Sequence, residues 1–324
     1  MLSSLVRGLA TFTHVDEAFT PRFEDGNVMP SARSAWSPKS NEKDPGRMLP
    51  TLEQIGEAAY YRWQRRGHQH GRHSLDWLAA EQEMIFALNY ELIASHRLDG
   101  VPVRTLGNPS DPRCRFCEAS APRASFDGPR LILPASLGNE SLYSHEVCDD
   151  CHEQHEESVG NHLDRFVASV RRGEARDHSF EPVAAFKGLA RAALAIVPER
   201  ELQYFEDAIE WVGNPDHDLD SRTIGGLDCY LHALPEPSPF SWVAVARRIE
   251  PDEPYPYMLA FYGTADVVFQ IALPLCVRDE DLEVSWIVPR SPSPFGVGRG
   301  PIESRLLVVP LAVAGTKLAF SSSS

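Results

Sequence analysis

The chain has 324 residues, 43% hydrophobic and 24% charged, and its 31 Lys and Arg face 46 Asp and Glu for a formal net charge of -15. That length exceeds one small core and predicts two or three folded units; that charge disfavours a broad nucleic-acid-binding surface, since phosphate backbones require the opposite sign. The first ten residues lack the apolar stretch of a secretion signal, and the C-terminal run LLVVPLAVA is too short to span a bilayer and contains Pro310, so the expectation is a cytoplasmic protein, with no membrane partner and with reduced thiols.

Leu2, Leu5, Val6 and Leu9 fall at helical spacing, and residues 11–50 mix Pro, Ser, Asn and Asp without apolar period. Residues 1–50 therefore read as a short helix and a flexible segment. Order is expected from Pro50. Thr51 and Gln54 have the spacing of a reciprocal helix cap, and Ile55, Ala59 and Trp63 repeat every four residues behind it. Gly67 and Gly71 break that helix. Ser74 is the expected cap of a second helix, with Trp77, Ala80, Met84 and Leu88 as its apolar stripe. The prediction is an antiparallel helical hairpin over 51–92, too small to bury two tryptophans alone. It should dock on another surface, within this chain, on a protein partner or on a second copy. His68, His70 and His73 in its loop have no acid or cysteine beside them and read as solvated.

The spacing of Ala59-Tyr60, Trp63, Gly67, Gly71, Trp77 and Ala80-Glu81 resembles a small bacterial domain family of unknown function. The resemblance covers about 35 residues and implies the hairpin but no activity.

Residues 93–110, ending in GNPSDP, read as a linker. Next come Cys114-x-x-Cys117 and, after thirty intervening residues, Cys148-x-x-Cys151. Two such turns point four thiolates at one ion, and a tetrahedral sulfur shell favours zinc over magnesium or calcium. Beyond Cys151 the apolar positions Val159, Leu163, Phe166, Val167 and Val170 mark a helix, with Asp149, Asp150 and Glu153 at its positive end. Cys229 and Cys276 stand alone and read as buried small hydrophobes.

The order of knuckle, strand and turn, second knuckle and helix is that of a treble clef. CRFC, LILPASLGN and VCDDCHEQHEESVGNHL resemble the zinc-bearing branch of the HNH nucleases over 111–172. In that family an acid and a histidine precede the Pro and the Ser-Leu-Gly turn. Pro134, Ser136, Leu137 and Gly138 match, but Arg130 and Leu131 hold the acid and histidine positions. Asn139 lies near the family's middle Asn, and His152 follows the second cysteine pair. Leucine neither takes a proton nor binds a metal, and Arg130 puts a positive charge where a cation would sit. The resemblance then implies a zinc scaffold without its nuclease chemistry, acting in binding or assembly. A rearranged nuclease around His145, His152 and His155 is the alternative, though a second divalent ion is not expected there. A third reading is a nucleic-acid binder without cleavage, using arginines near the first knuckle such as Arg113 and Arg115. The local charge speaks against it, with eight acids and no Lys or Arg between Leu131 and Asp164.

SFEPVAAFKGLARAALAIV and PERELQYFEDAIEWVG read as two helices, the second opened by Pro198 and closed by Gly213. Short β-branched and aromatic runs follow, LDCYLHAL, SWVAVARRI, YMLAFYG, DVVFQIALPL and LEVSWIV, with RLLVV and TKLAF beyond. The predicted whole is an α+β protein: a hairpin, a four-cysteine zinc treble clef, then an α+β domain over 178–320 with helices on a mostly antiparallel sheet.

Overall fold

The computed structural model describes residues 49–280, apart from 101, 173–178, 215–226, 235–236, 252 and 254, together with 304–308. All of these belong to the unit that begins at Pro45. The expected N-terminal helix and the runs LEVSWIV and TKLAF lie outside the described residues.

Helix α1 (Leu52–Arg65) starts as its sequence predicts. Thr51 Oγ1 accepts from the Gln54 amide at 3.2 Å, and Gln54 Oε1 accepts from the Thr51 amide at 2.8 Å. Helix α2 (His73–Asn89) does not: Ser74 lies inside it, and no side chain caps its start. The first-turn acid Asp76 is drawn sideways into a buried ion pair with Arg66, and Arg62 pairs with Glu83 at 2.5 Å. These two pairs and a small core of Ile55, Ala59, Ala80 and Met84 hold the helices together. Trp77, Ala80 and Met84 of the expected α2 stripe share one face, Leu88 joins neither core, and α2 has a second apolar face that the stripe did not include. Ala80 and Met84 face α1, while Ile85 and Phe86 face a sheet.

That sheet has six strands in the order β1-β6-β7-β8-β5-β9, every neighbouring pair antiparallel. Its members are β1 (Tyr90–Arg97), β5 (Asp228–Ala233), β6 (Trp242–Arg248), β7 (Met258–Gly263), β8 (Val267–Ala272) and β9 (Ser304–Val308). Alternation sorts the side chains onto two faces. Val243, Val245, Ala260, Tyr262, Phe269 and Ile271 point to the larger core; Trp242, Ala244, Ala246, Leu259 and Phe261 point to the other. Phe86 of α2 covers this second face, edge-on to Phe261 with 5.8 Å between ring centroids. The hairpin therefore docks within the chain. Trp242 lies so close across the β6–β7 pair that a Cβ on Gly263 would fall 2.1 Å from its Cε2.

The position of β1 corrects the linker assignment. Residues 93–97 are the last five of an eight-residue strand, and 104–106 form β2 (Arg104–Leu106). β1 exposes half of its side chains along an open edge, which erases the apolar signature of a strand. The cysteine region is thus inserted between two neighbouring strands of one sheet. Within it β2, β4 (Leu142–Ser144) and β3 (Arg130–Leu131) form a small sheet, β2–β4 parallel and β3–β4 antiparallel.

Helix α3 (Asp149–His155), a wide turn over Glu156–Gly160 and α4 (Asn161–Arg172) then run on as one rod. Its buried positions Val159, Leu163, Phe166 and Val167 are those the sequence marks. Helix α5 (Pro182–Leu194) crosses it closely at Gly188, where a Cβ would lie 2.9 Å from Leu163 Cδ2. The helix expected over 198–213 is two, α6 (Glu199–Leu202) and α7 (Glu206–Gly213). Fully buried Phe205 breaks it by turning into the core at the start of α7. One continuous core joins Cys114, Phe116, Leu133 and Leu142 to α4, α5, α7 and the inner sheet face. The cysteine region has no separate core of its own.

Candidate metal centre

The first cysteine pair lies on a tight knuckle. The Glu118 amide donates to the Cys114 carbonyl at 2.9 Å, and the Cys114 amide donates to Ala119 at 2.8 Å. Glu118 takes a left-handed φ of 58° to close the turn. The second pair opens α3: Cys148 is its N-cap residue and Cys151 lies in its first turn. The Arg115 amide donates to the Glu146 carbonyl at 2.8 Å, which aligns the knuckle with the approach to Cys148.

These contacts bring all four Sγ atoms within 4.8 Å of one another. Cys117 and Cys148 stand 3.6 Å apart, near the ~3.8 Å edge of a tetrahedron with ~2.3 Å zinc–sulfur arms. Cys114 and Cys148 are buried, Cys151 is half-buried and Cys117 is exposed. Among the described residues this is the only group of three or more His, Cys, Asp or Glu arranged to hold a metal ion. The donor set fits a soft or borderline cation. Cys114 is driven down to about 4, first by a hydrogen bond from Cys151 and then by the amides of Cys148, Cys117 and Phe116. Its partners are forced the other way. Burial pushes Cys148 up to about 11, and the bond to Cys114 holds the proton on Cys151. Four thiolates can be ionised together here only with a cation among them.

Two arginines fasten this centre to the helical layer. Arg191 of α5 donates from Nη2 to the Cys151 carbonyl at 2.8 Å, and its guanidinium lies 3.9 Å over the Phe116 ring. Burial lowers it to about 10, while Cys151, Cys114 and Cys148 pull it back up, so it stays charged at neutral pH. Arg115 donates to the carbonyls of Leu194 and Val197 at 3.0 and 2.6 Å and pairs with Glu146 at 2.6 Å. The sequence hid Arg191 because its partner is forty positions upstream. Arg115, a candidate nucleic-acid contact by sequence, is spent inside the fold, while Arg113 is exposed beside Glu118.

The sequence's resemblance to the HNH nucleases would assign hydrolysis to positions on β3, the turn that follows it and α3. Arg130 pairs with Asp149 at 2.6 Å and so joins β3 to the start of α3; Asp149 also accepts from the Asp127 amide at 3.1 Å. Leu131 is 40% exposed and belongs to no described core. Asn139 is consumed by the turn: its side chain donates to the Leu133 and Leu142 carbonyls and accepts from the Ser141 and Leu142 amides. His145, His152 and His155 are not brought together in a metal-holding group. Burial lowers the His152 imidazole, with Arg130 and Arg191 acting in the same direction against Glu156. Burial, Arg191 and His152 drive His155 to about 2, and its Nδ1 finds no hydrogen-bond partner among the described residues.

Residues 50–84 match a family described as a protein of unknown function (DUF2934). The match lies on the helical hairpin, apart from the cysteines, and agrees with the resemblance seen in its spaced Tyr, Trp and Gly residues. No curated protein and no solved structure matches the chain. Among the described residues, no helix is long and apolar enough to cross a membrane.

Proposed function

We propose that this is a zinc-binding, non-catalytic, cytoplasmic protein built on an HNH-like treble clef, and that it acts in binding or assembly. Cys114, Cys117, Cys148 and Cys151 hold a structural zinc. The observation that carries the reading is the pairing of a complete sulfur shell with a vacated base position. A solvent-facing leucine stands where the imidazole would be, and the neighbouring arginine is spent on Asp149. A general base needs a pKa near the working pH. Burial, Arg191 and His152 all disfavour the protonated form of His155, which makes it a poor general base.

Metal analysis of the purified chain tests the first half: one zinc per chain is expected, lost in Cys148→Ser. Plasmid nicking with Mg²⁺ or Mn²⁺ tests the second half. No cleavage above buffer is expected, and His152→Ala should change nothing. Cleavage abolished by His152→Ala would establish the rearranged nuclease instead.

A further inference from the structure

The hairpin tip differs in chemistry from the rest of the chain. Between Glu57 and Asp76 there are four arginines, three histidines and no acid, in a protein of net charge -15. Arg62 and Arg66 are buried in ion pairs with Glu83 and Asp76 and serve to lock the helices. Arg65 and Arg72 are exposed. Around them runs a row of rings. Trp63 lies 5.6 Å from Tyr60, 4.3 Å from His68 and 5.9 Å from His70, centroid to centroid. His70 continues to His73 at 6.2 Å, and Tyr60 to Tyr61 at 5.9 Å. The two tyrosines are 37% and 41% exposed, and neither they nor Trp63 joins any described hydrophobic core.

The tip is also set off along α2 from the point where that helix meets the sheet. Helix α2 meets the sheet through Phe86, thirteen positions beyond His73. At about 1.5 Å per residue that is about 20 Å, more than two Debye lengths of about 8 Å at physiological salt. Negative charge at the sheet is largely screened over that separation, and Glu57 of α1, one turn before Tyr60 and Tyr61, is the acid that borders the tip on that helix.

We infer that this tip is a contact surface for single-stranded nucleic acid. Exposed flat rings offer stacking faces to bases, and the arginines beside them attract phosphates. A duplex hides its base faces, so the ring row selects an unpaired strand. An acidic peptide would use the arginines alone and leave the rings idle. The inference does not depend on the metal, so its failure would leave the reading of the four cysteines untouched.

Fluorescence anisotropy of the full-length protein with a labelled oligothymidine of about 16 nucleotides tests it. Binding should weaken steeply between about 50 and 200 mM salt. The double variant Arg65→Ala/Arg72→Ala should lower the log–log salt slope by about 1.4, at about 0.7 per phosphate contact. Tyr61→Ala should weaken binding at least about fivefold. Far-ultraviolet circular dichroism should confirm that these surface variants stay folded. The inference is overturned by absence of binding at the lower salt, or by binding that survives all three substitutions. It is equally overturned if Arg113→Ala removes binding and the tip variants do not, or if oligoglutamate competes as well as unlabelled oligothymidine.

Discussion

Replacing Arg191 by methionine keeps most of the packing volume on Phe116 and deletes the charge beside the cysteines. In the native protein this side chain is buried, with only 7% of the residue exposed, and it has two polar engagements: the Cys151 carbonyl at 2.8 Å and the Phe116 face at 3.9 Å. A hydrogen bond from a charged donor contributes about 1.5–3 kcal/mol, and a desolvated cation–π contact about 2 kcal/mol. A zinc bound by four thiolates carries about two negative charges, which the guanidinium offsets at close range. Removing one partner of a buried charge pair costs about 3–5 kcal/mol, and the zinc-loaded protein should lose about that much. Without metal fewer of the sulfurs are ionised, since Cys148 and Cys151 keep their protons, and the loss should be smaller. If about 2 kcal/mol of it belongs to the loaded state alone, the zinc dissociation constant rises about thirtyfold. Urea unfolding of loaded and chelated protein measures the first quantity, and competition with a chromophoric chelator measures the second. Equal losses in both forms, with zinc affinity unchanged, would refute the electrostatic coupling and leave Arg191 as a packing residue.

Gly263→Ala should cost about 3 kcal/mol, because the new methyl meets the ring of fully buried Trp242 across a sheet pair that cannot part; thermal melting will show it. Leu131→Ser should stay within about 0.5 kcal/mol of the parent, while Leu133→Ala, two residues on and 1% exposed, should lose about 2–5 kcal/mol in denaturant titrations. The hydrogen bond from Arg130 holds the Asp149 carboxyl below its usual 3.8. A carboxyl depressed in the folded state stabilises above its unfolded pKa, and that contribution is lost as pH falls below about 3.8 towards the folded value. Arg130→Ala should therefore flatten stability against pH in that acid window and lower stability at neutral pH. Phe86→Ala should release the hairpin from the sheet, seen as faster amide exchange in α2 at a cost of about 3–5 kcal/mol.

What the sequence made legible was local. The Thr51–Gln54 cap, the ligand spacing of the two cysteine pairs and the helical period through Phe166 all depend on neighbours within a few residues. Four C-terminal runs likewise became β5, β6, β7 and β8, and RLLVV fell on β9. What stayed hidden was set by distant partners. Tyr90 pairs with Arg248 and Arg97 with Trp242, so YELIASHR is a strand only because β6 exists. Arg191 looks like one cation of an alanine-rich helix until Cys151 and Phe116 are beside it. Asp76 looks like a first-turn helix acid, and Arg66 diverts it. The Ser-Leu-Gly turn shows the same limit. Gly138, at φ 78°, is needed for its backbone conformation, but also because a Cβ there would lie 2.2 Å from Oγ of Ser241, the residue before β6.

The pairing of β1 with β6 also has a bearing on biosynthesis. Residue 97 leaves the ribosome long before residue 242, and at about 5–20 residues per second the delay is about 7–30 s. Throughout it, β1 has an unpaired ladder of backbone groups, and Cys151, the last of the four cysteines, is made 91 residues before residue 242. An ion held by the four cysteines, as proposed, could thus be bound before the large sheet closes, and a nascent chain without it would present both a loose insert and an unpaired strand to its surroundings.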